Sequence, residues 1–345
     1  MKRMIITSIT ALLLMTSCTN NTAEQDKGNE TSQVETTAAE TTSEDTTADE
    51  STGAIPHIAV PDLSEYSITD PFEYNAGTPE IKGNSETIKD VTFFRDNKKI
   101  CGRLYLPEGE GPFPVVVISS GQTASYNIYE DEASAFAESG CACIIFDFTG
   151  AVGRKLSDGE LTESSVLTEV QDLNVILDSL SDLPKIDTNN VFLWGHSLGG
   201  LVSTYTGGNR PDDIKGMILL EPSFTYPDYT RNNSPYLSQV PDVITDPKQY
   251  NTIVGKQFVI DMCSVDIMEE IRKCDKDVLI ILGDADEKTS ANPALGYLYP
   301  EIYETAGKTF PSSETVVING ADHIFQGESG KEAVRKSIEF IKKHT

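Results

Sequence analysis

Strand-length apolar runs alternate with helix-like stretches over most of this chain, and no other feature limits the possible folds as much. "FPVVVISSG" and "CACIIFDF" are apolar almost throughout, as in strands that are covered on both faces. Four further strand-like runs follow: "NNVFLWG", "IKGMILLEP", "KDVLIILGD" and "ETVVING". Helix-like stretches lie between them, and "SSVLTEVQDLNVILDSL" carries an apolar stripe at helical spacing. The pattern predicts an α/β fold with a mostly parallel central sheet and helices on both faces.

Two segments depart from this alternation. "DVTFFRD" and "KICGRLYLPE" flank a short "DNK" turn, so we expect an antiparallel strand pair at one edge of the sheet. Later in the chain, roughly residues 222–276 separate two predicted strands, whereas such connections usually span about 2–6 residues. This insertion is rich in Tyr, Pro and Asn. We predict that it forms a cap over the carboxyl edge of the sheet, where α/β proteins bind their ligands.

The N-terminus has the features of an export signal. Two basic residues precede an apolar stretch, Met4–Met15, that is too short to span a bilayer as a helix. Small residues then precede Cys18, and the whole segment resembles a bacterial lipoprotein signal. The resemblance implies removal of residues 1–17, lipidation of Cys18 and an extracytoplasmic protein anchored to a bacterial membrane by its acyl chains. Cleavage without lipidation is the alternative.

Composition divides the rest of the chain into two parts. Residues 18–58 are mostly Thr, Glu, Ser, Ala and Asp, which bury too little apolar surface to fold, so we expect a disordered tether. Residues 59–345 are more apolar and are expected to form one large domain. With 27 Lys and Arg residues against 54 Asp and Glu, the formal charge of −27 argues against nucleic acid as a partner.

The cysteines do not suggest a disulfide framework. The chain has six of them, and lipidation of Cys18 would leave an odd number. Cys263 and Cys274 flank a helix-like segment that would hold them about 16 Å apart, beyond the Cα separation of about 7 Å that a disulfide tolerates. We therefore expect the remaining cysteines to be buried free thiols.

One serine stands where a buried strand gives way to a helix. In "VFLWGHSLGGL", Ser197 has Gly195 two residues before it and Gly199 two residues after it, and Gly200 adds further space. A turn this sharp brings the flanking positions so close to the chain that larger side chains would clash. The motif in this setting resembles the nucleophile elbow of α/β-hydrolases, which implies that Ser197 is a catalytic nucleophile.

A serine hydroxyl needs a base to become an effective nucleophile. His323, in "INGADHIF", follows the last predicted strand, where α/β-hydrolases carry their base. The chain has four histidines, and the other three are poorly placed for this role: His57 in the predicted tether, His196 pointing away from the neighbouring serine, and His344 in the terminal helix. We predict that His323 is the base, so activity should fall when acid protonates it.

The base in turn needs a carboxylate that orients it and stabilises its charged form. "GDADEK" follows the strand "DVLIILG" and offers Asp284, Asp286 and Glu287. α/β-Hydrolases usually carry this acid in a G-x-x-D sequence at the strand end, which selects Asp286. Asp284 is the closer alternative, and Glu221 after the preceding strand is a more distant one.

Two main-chain N–H groups should stabilise the oxyanion that forms when the serine attacks. The first belongs to Leu198, directly after the nucleophile. We expect the second from Gln122, in the loop "ISSGQTAS" that follows the third strand. The Gln122 side chain itself would only line the pocket.

From about Asp90 to its C-terminus, the chain resembles bacterial cinnamoyl and feruloyl esterases, with serine aminopeptidase-like hydrolases as neighbours. The matching stretches beyond the catalytic residues are "GRLYLPEGEGPFPVVVISSG", "FDFTGAVGRKLSDGE", "SVLTEVQDLNVILDSL", "WGHSLGG" and "GKQFVIDM". These esterases carry an insertion of similar size that holds part of the acyl pocket. This chain departs from them at Ser120-Gly121, where the family usually has His-Gly, and in "FDFTGAVGRK", which is longer and more basic.

The predicted function is hydrolysis of phenolic or short-chain acyl esters, on small molecules or oligosaccharides, with no metal or organic cofactor. Tyr226, Tyr229 and Tyr236 are candidates to line the acyl site, although they could equally be packing residues. A peptidase on the same fold is the first alternative, and it would need an anchor for a substrate amino terminus, such as Asp228 or Asp261. The second is a non-catalytic binding lipoprotein, which would require a broken triad.

Overall fold

The computed structural model describes residues 58–83, 85–151, 156–246, 252–286 and 299–345. All of these belong to the unit Ser51–Thr345. The predicted signal peptide, Cys18 and the predicted tether up to residue 57 lie outside the described residues. Within the described ranges, no helix combines the length and the apolar character needed to cross a bilayer.

A nine-stranded sheet forms the centre of the described domain, in the order β1-β2-β3-β5-β4-β6-β7-β10-β11. Its strands are β1 (Ala76–Gly83), β2 (Ile88–Arg95), β3 (Lys98–Tyr105), β4 (Phe113–Ser119), β5 (Ala142–Phe146), β6 (Ile186–His196), β7 (Gly216–Leu220), β10 (Asp277–Gly283) and β11 (Ser312–Ile318). A separate hairpin consists of β8 (Val243–Asp246) and β9 (Thr252–Gly255). From β5 to β11 every neighbouring pair is parallel, so the predicted α/β sheet is confirmed.

The antiparallel edge of the sheet is larger than the sequence indicated. The predicted pair is confirmed as β2 and β3, and β3 also pairs antiparallel with β5. β1 extends this edge by one strand that was not predicted. Its sequence "AGTPEIKG" contains a proline and two glycines and its side chains are almost all exposed, so it lacks the apolar alternation that identifies a strand.

Helices cover both faces of the sheet. They are α1 (Glu130–Glu138), α2 (Val166–Ser179), α3 (Leu198–Asn209), α4 (Tyr226–Asn233), α5 (Lys256–Ser264), α6 (Ile267–Lys273), α7 (Tyr299–Thr309) and α8 (Glu328–His344). Alternate residues of β4 enter two separate cores: Val115 and Val117 pack on the side of α2, α3, α6 and α7, whereas Val116 and Ile118 pack on the side of α1 and α8. Both faces of a strand are thus buried, which explains its continuous apolar sequence.

Local side chains and backbone conformations account for two of the helix ends. Ser165 caps α2: its hydroxyl accepts from the Thr168 N–H at 3.2 Å, and the Thr168 hydroxyl accepts from the Ser165 N–H at 2.8 Å. Gly140 follows α1 with a φ of 98°, a left-handed conformation that glycine adopts without strain. Ser165 thus marks the start of α2, directly after the loop from the carboxyl end of β5. Gly140 marks the end of α1, which is preceded by the loop from the carboxyl end of β4.

The segment between β7 and β10, which includes the predicted cap, contains α4, the β8–β9 hairpin, α5 and α6. Within α6, Ile267 and Ile271 lie in the same core as α3, so the end of this segment belongs to the helical layer. Within α5, the fully buried Asp261 accepts hydrogen bonds from the Thr69 N–H and the Ser165 hydroxyl. These hydrogen bonds hold α5 against the N-terminal part of the domain and against the start of α2.

The five cysteines within the described residues are free thiols, as predicted, and all except the partly exposed Cys101 are buried: Cys101, Cys141, Cys143, Cys263 and Cys274. Burial raises the pKa of the Cys143 and Cys263 thiols, which disfavours the reactive thiolate.

Candidate active site

Ser197 occupies a sharp turn between β6, which ends at His196, and α3, which begins at Leu198. Its backbone has φ 55° and ψ −119°, a conformation that non-glycine residues rarely adopt. A Cβ on Gly195 would lie 2.4 Å from the Gly199 carbonyl oxygen, and one on Gly199 would lie 2.1 Å from the Ser119 carbonyl oxygen. Only glycine fits at either position, which is the steric demand that the sequence motif indicated.

His323 and Asp286 meet Ser197 at the carboxyl edge of the sheet. The Nε2 atom of His323 lies 3.0 Å from the Ser197 Oγ, and its Nδ1 atom lies 2.7 Å from the Asp286 Oδ2. The carboxylate can only accept, so Nδ1–H donates to it and Nε2 is left to accept the serine proton. The structure thus brings together the three side chains that the sequence selected, and the Asp286 side chain is 1% exposed.

The alternative acids have other contacts. Asp284 is exposed and accepts a hydrogen bond from the Gly320 N–H at 2.6 Å. Glu221 follows β7 with a φ of 40° and accepts from the Gly283 N–H, while its Oε2 atom is buried without a partner among the described residues. Burial, reinforced by the negative charge of Asp286, raises the pKa of Glu221 to about 8. Glu221 is therefore mostly protonated at neutral pH, and Glu287 lies outside the described residues.

Two main-chain N–H groups belong to segments that adjoin Ser197. Leu198 is the first residue of α3, so its N–H has no partner within the helix and adds to the positive end of the helix dipole. Gln122 follows Gly121, where an added Cβ would lie 3.3 Å from the Ser197 Cβ, so this loop packs against the nucleophile. Among the described residues, no group accepts a hydrogen bond from either N–H. Both remain available to an oxyanion.

The Gln122 side chain also faces the α4 helix. Its Oε1 accepts from the Tyr226 hydroxyl at 3.3 Å, and its buried Nε2 has no partner among the described residues. The Tyr226 ring lies 6.1 Å from the Tyr229 ring and 5.7 Å from the Phe258 ring. Tyr226, Tyr229 and Phe258 thus form an aromatic cluster beside the oxyanion loop, and Phe258 was not among the predicted residues.

Tyr236 is in a different position. It is 67% exposed and borders a surface depression of about 300 Å³ together with Tyr66 and Arg231. In the described part of the chain, it makes none of the ring contacts that join the aromatic cluster. Its predicted role in binding substrate stays a prediction.

Three residues near the nucleophile were not identified as functional from the sequence. The Ser223 Oγ lies 3.3 Å from the Ser197 Oγ. Tyr129, just before α1, donates its hydroxyl proton towards the Nδ1 of His196 over 2.9 Å, and the Nε2 of His196 lies 2.6 Å from the His323 carbonyl oxygen. No local motif marks these contacts, because each joins segments that are distant in sequence.

Of the two stretches that depart from the esterase pattern, the structure describes Ser120-Gly121 in full and "FDFTGAVGRK" only in part. Ser120 is buried directly before Gly121 and its carbonyl oxygen packs on Gly199, so the loop keeps close contact with the elbow without a histidine at this position. In "FDFTGAVGRK", residues 152–155 lie outside the described residues.

Residues 110–329 match the protein family described as Hydrolase_4, serine aminopeptidase S33. Among characterised relatives, esterase FrsA of Klebsiella pneumoniae is 28% identical over 179 residues, which cover 49% of this chain and 39% of that protein. The quorum-quenching protein AidA of Acinetobacter baumannii is 30% identical over 130 residues, or 35% of this chain and 40% of AidA. The chain therefore spans about two fifths of the length of these relatives.

Solved structures of esterases share the fold. Est1E from Butyrivibrio proteoclasticus, with ferulic acid bound, superposes with a TM-score of 0.61 at 21% identity over 72% of this chain and 96% of Est1E. An acetyl xylan esterase from Paenibacillus sp. R4 gives 0.58 at 15% identity over 79% and 90% of the two chains. Both likenesses confirm the predicted α/β-hydrolase fold.

Proposed function

The chain belongs to the serine aminopeptidase (S33) family of α/β-hydrolases, and we propose that it hydrolyses carboxylic esters through an acyl-enzyme on Ser197. In this mechanism His323 takes the Ser197 proton as the hydroxyl attacks the ester carbonyl, and it then protonates the departing alcohol. Asp286 keeps the imidazole oriented and stabilises its positive charge. Water, activated by the same histidine, releases the acid and restores the serine.

The observation that carries this proposal is a pair of hydrogen bonds at His323. One joins it to Asp286 over 2.7 Å, and the other joins it to Ser197 over 3.0 Å. Leu198 directly follows the nucleophile and Gln122 lies in the loop packed against it, and their N–H groups would stabilise the oxyanion. Each such donor typically contributes about 2.7–4 kcal/mol to transition-state stabilisation. A protein that only binds a ligand has no need for this set of groups.

The contacts of two acidic residues favour an ester over a peptide with a free amino terminus. Asp228 forms a buried ion pair with Arg231 at 2.7 Å. Asp261 is fully buried and accepts hydrogen bonds from Thr69, Gln257 and Ser165. Both carboxylates already stabilise the protein's own structure, so neither is offered to a substrate ammonium group.

The acyl group is proposed to be aromatic or short. The aromatic cluster of Tyr226, Tyr229 and Phe258 lies beside Gln122 and would pack against a flat acyl chain. Est1E, which shares the fold, holds ferulic acid, and another structural relative acts as an acetyl xylan esterase. Hydroxycinnamoyl and acetyl esters of small molecules or oligosaccharides are therefore the first substrates to test.

Two esters that share the same leaving group test whether the enzyme prefers a simple acyl ester or a substrate with a free amino group, as an aminopeptidase would. The p-nitrophenyl esters of 4-methylpentanoate and of leucine differ only in the α-amino group, and p-nitrophenyl ferulate extends the series. We expect the amino group to lower kcat/KM by at least about tenfold, because Asp228 and Asp261 are both engaged by groups of the protein itself. A preference for the leucine ester, together with cleavage of leucine p-nitroanilide, would instead support a peptidase.

We also propose that the protein is exported and anchored to a bacterial membrane through lipid on Cys18, on the strength of the N-terminal sequence. An alkyne analogue of palmitate should label the wild-type protein in cells, and Cys18→Ser should lose the label and leave the membrane fraction. Cys101→Ser is the control and should keep both. Equal labelling of the Cys18→Ser protein would contradict lipidation at this residue.

A further inference from the structure

A line of hydrogen bonds runs behind the nucleophile and involves neither Ser197 nor Asp286. The Nε2 of His196 lies 2.6 Å from the His323 carbonyl oxygen, and its Nδ1 lies 2.9 Å from the Tyr129 hydroxyl. The Tyr129 hydroxyl is in turn 3.4 Å from the Gly121 N–H, a longer and weaker contact. His196 and Tyr129 are 8% and 5% exposed, so little water competes for these contacts.

The direction of each hydrogen bond follows from the groups at the two ends. A carbonyl oxygen only accepts, so Nε2 of His196 carries the proton and donates it to His323. In the neutral ring Nδ1 then accepts, and the Tyr129 hydroxyl donates to it. Burial raises the pKa of Tyr129, so this hydroxyl keeps its proton. The tyrosine oxygen is left to accept from the Gly121 N–H, and every group along the line has a consistent role.

The two ends of this line lie in two loops whose positions matter for the reaction. One end is the main chain of the catalytic base, His323. The other is Gly121, directly before the oxyanion donor Gln122, and an added Cβ on Gly121 would lie 3.5 Å from the His196 Nδ1. The His196 and His323 rings also pack with centroids 5.2 Å apart. His196 is therefore in contact with both loops while its own backbone belongs to the nucleophile elbow.

We propose that His196 and Tyr129 are positioning residues that set the spacing between the base loop at His323 and the oxyanion loop at Gly121–Gln122. Neither touches the reacting atoms. Without the Tyr129 hydroxyl, the Gly121 N–H loses its contact with that side chain. The oxyanion loop then holds the Gln122 N–H less firmly in the position that an oxyanion requires. Because the oxyanion exists only beyond the ground state, such a loss lowers kcat and leaves KM nearly unchanged.

The central test is Tyr129→Phe, which removes one oxygen atom and keeps the ring packed against Trp194, whose centroid is 5.7 Å away. Kinetics on p-nitrophenyl butyrate should show kcat reduced about tenfold, which corresponds to about 1.4 kcal/mol, with KM changed less than about twofold. Concentrations are normalised by active-site titration with a fluorophosphonate, so an unfolded fraction does not count as a slower enzyme.

Tyr126→Phe is the matched control. Tyr126 is a buried tyrosine three residues earlier in the same short turn, and its ring lies under the Arg103 guanidinium at 5.9 Å rather than against His196. Its kcat should stay within about twofold of wild type. Equal reductions of kcat in Tyr126→Phe and Tyr129→Phe would overturn the proposal, because they would show that either substitution in this turn impairs the enzyme.

Substitutions of His196 separate the two halves of the line. Gln can present a donor near the position of Nε2 and Asn an acceptor near that of Nδ1, so His196→Gln keeps the His323 contact and His196→Asn keeps the Tyr129 contact. His196→Gln already lacks the contact between residue 196 and Tyr129, and only the weaker contact of Tyr129 with the Gly121 N–H is left to lose. Adding Tyr129→Phe should therefore cost less activity in His196→Gln than in His196→Asn. Additive losses in both backgrounds would overturn the coupling.

This inference rests on the proposed ester hydrolysis, and the two can fail separately. A titratable wild type that cleaves no ester defeats the proposed function. A wild type that cleaves esters and a Tyr129→Phe variant with unchanged kcat defeat only the role of Tyr129 and His196.

Discussion

The Nε2 atom of His323 lies 3.0 Å from the Ser197 hydroxyl oxygen, although 126 positions separate the two residues in sequence. The contact arises because β6 and β11 both end at the carboxyl edge of one parallel sheet, with β7 and β10 between them. Asp286 follows β10 and reaches His323 from the strand beside β11. Sheet order thus explains how three loops from distant parts of the chain form a single site.

Replacing Asp286 with Asn should lower kcat by about 10⁴-fold while the protein stays folded. An amide in place of the carboxylate favours the wrong tautomer of His323 and no longer stabilises the imidazolium. Ester hydrolysis at saturating substrate measures the effect.

Asp284→Asn is the matched control for that substitution, since it is the same chemical change two residues away. Asp284 is exposed and contacts Gly320, not His323, so kcat should stay within about threefold of wild type. If Asp284→Asn were the more damaging variant, the acid would have to be reassigned.

Glu221→Gln should change how stability depends on pH. Burial raises the pKa of Glu221 to about 8, well above the value of an exposed glutamate. Between about pH 4.5 and 8 the unfolded chain therefore releases a proton that the folded protein retains, so wild-type stability falls as pH rises through that range. The amide introduced by Glu221→Gln is uncharged in both states, so the variant lacks this contribution.

Urea unfolding at several pH values measures the difference. Relative to wild type, the Glu221→Gln protein should gain stability from about pH 5 to pH 8, by up to roughly 4 kcal/mol. The side chain is almost fully buried, so solvent screening reduces the effect little. Parallel stability curves for the two proteins would contradict a protonated Glu221 in the folded state.

Gly199→Ala should destabilise the protein by about 3 kcal/mol or more and abolish activity. The new Cβ would lie 2.1 Å from the Ser119 carbonyl oxygen, so the elbow and the strand β4 would have to separate. Gly140→Ala is the comparison, because Gly140 has a φ of 98° but nothing within 4 Å of an added Cβ. It should cost only about 1 kcal/mol and leave activity intact, as measured by thermal unfolding and ester hydrolysis.

Much of the fold could be predicted from the sequence, because the strands on which the site depends are buried on both faces. Val115 to Ile118 must all be apolar in such a strand, and that requirement is visible without any tertiary information. The steric limits around Ser197 are equally local, since Gly195 and Gly199 are close to it in sequence. Comparison with α/β-hydrolases then indicated which strand ends carry the histidine and the acid.

Features that depend on contacts between distant segments could not be predicted in this way. β1 is held by its pairing with β2 although its own side chains are mostly exposed. The sequence motif excludes His196 as the base and gives it no other role. Its contacts with Tyr129 and His323 become apparent only when β6, the turn before α1 and the last loop are placed together. The protonation of Glu221 similarly depends on burial beside Asp286.

The most direct test of the proposed chemistry is covalent labelling of the nucleophile with a fluorophosphonate, read by intact mass and peptide mapping. Ser197 and Ser223 carry hydroxyls 3.3 Å apart, but His323 contacts Ser197. We predict one added phosphonyl group on Ser197, complete loss of labelling in Ser197→Ala, and retained labelling in Ser223→Ala. Undiminished labelling of Ser197→Ala, or a wild type that does not react at all, would contradict Ser197 as the nucleophile of a serine hydrolase.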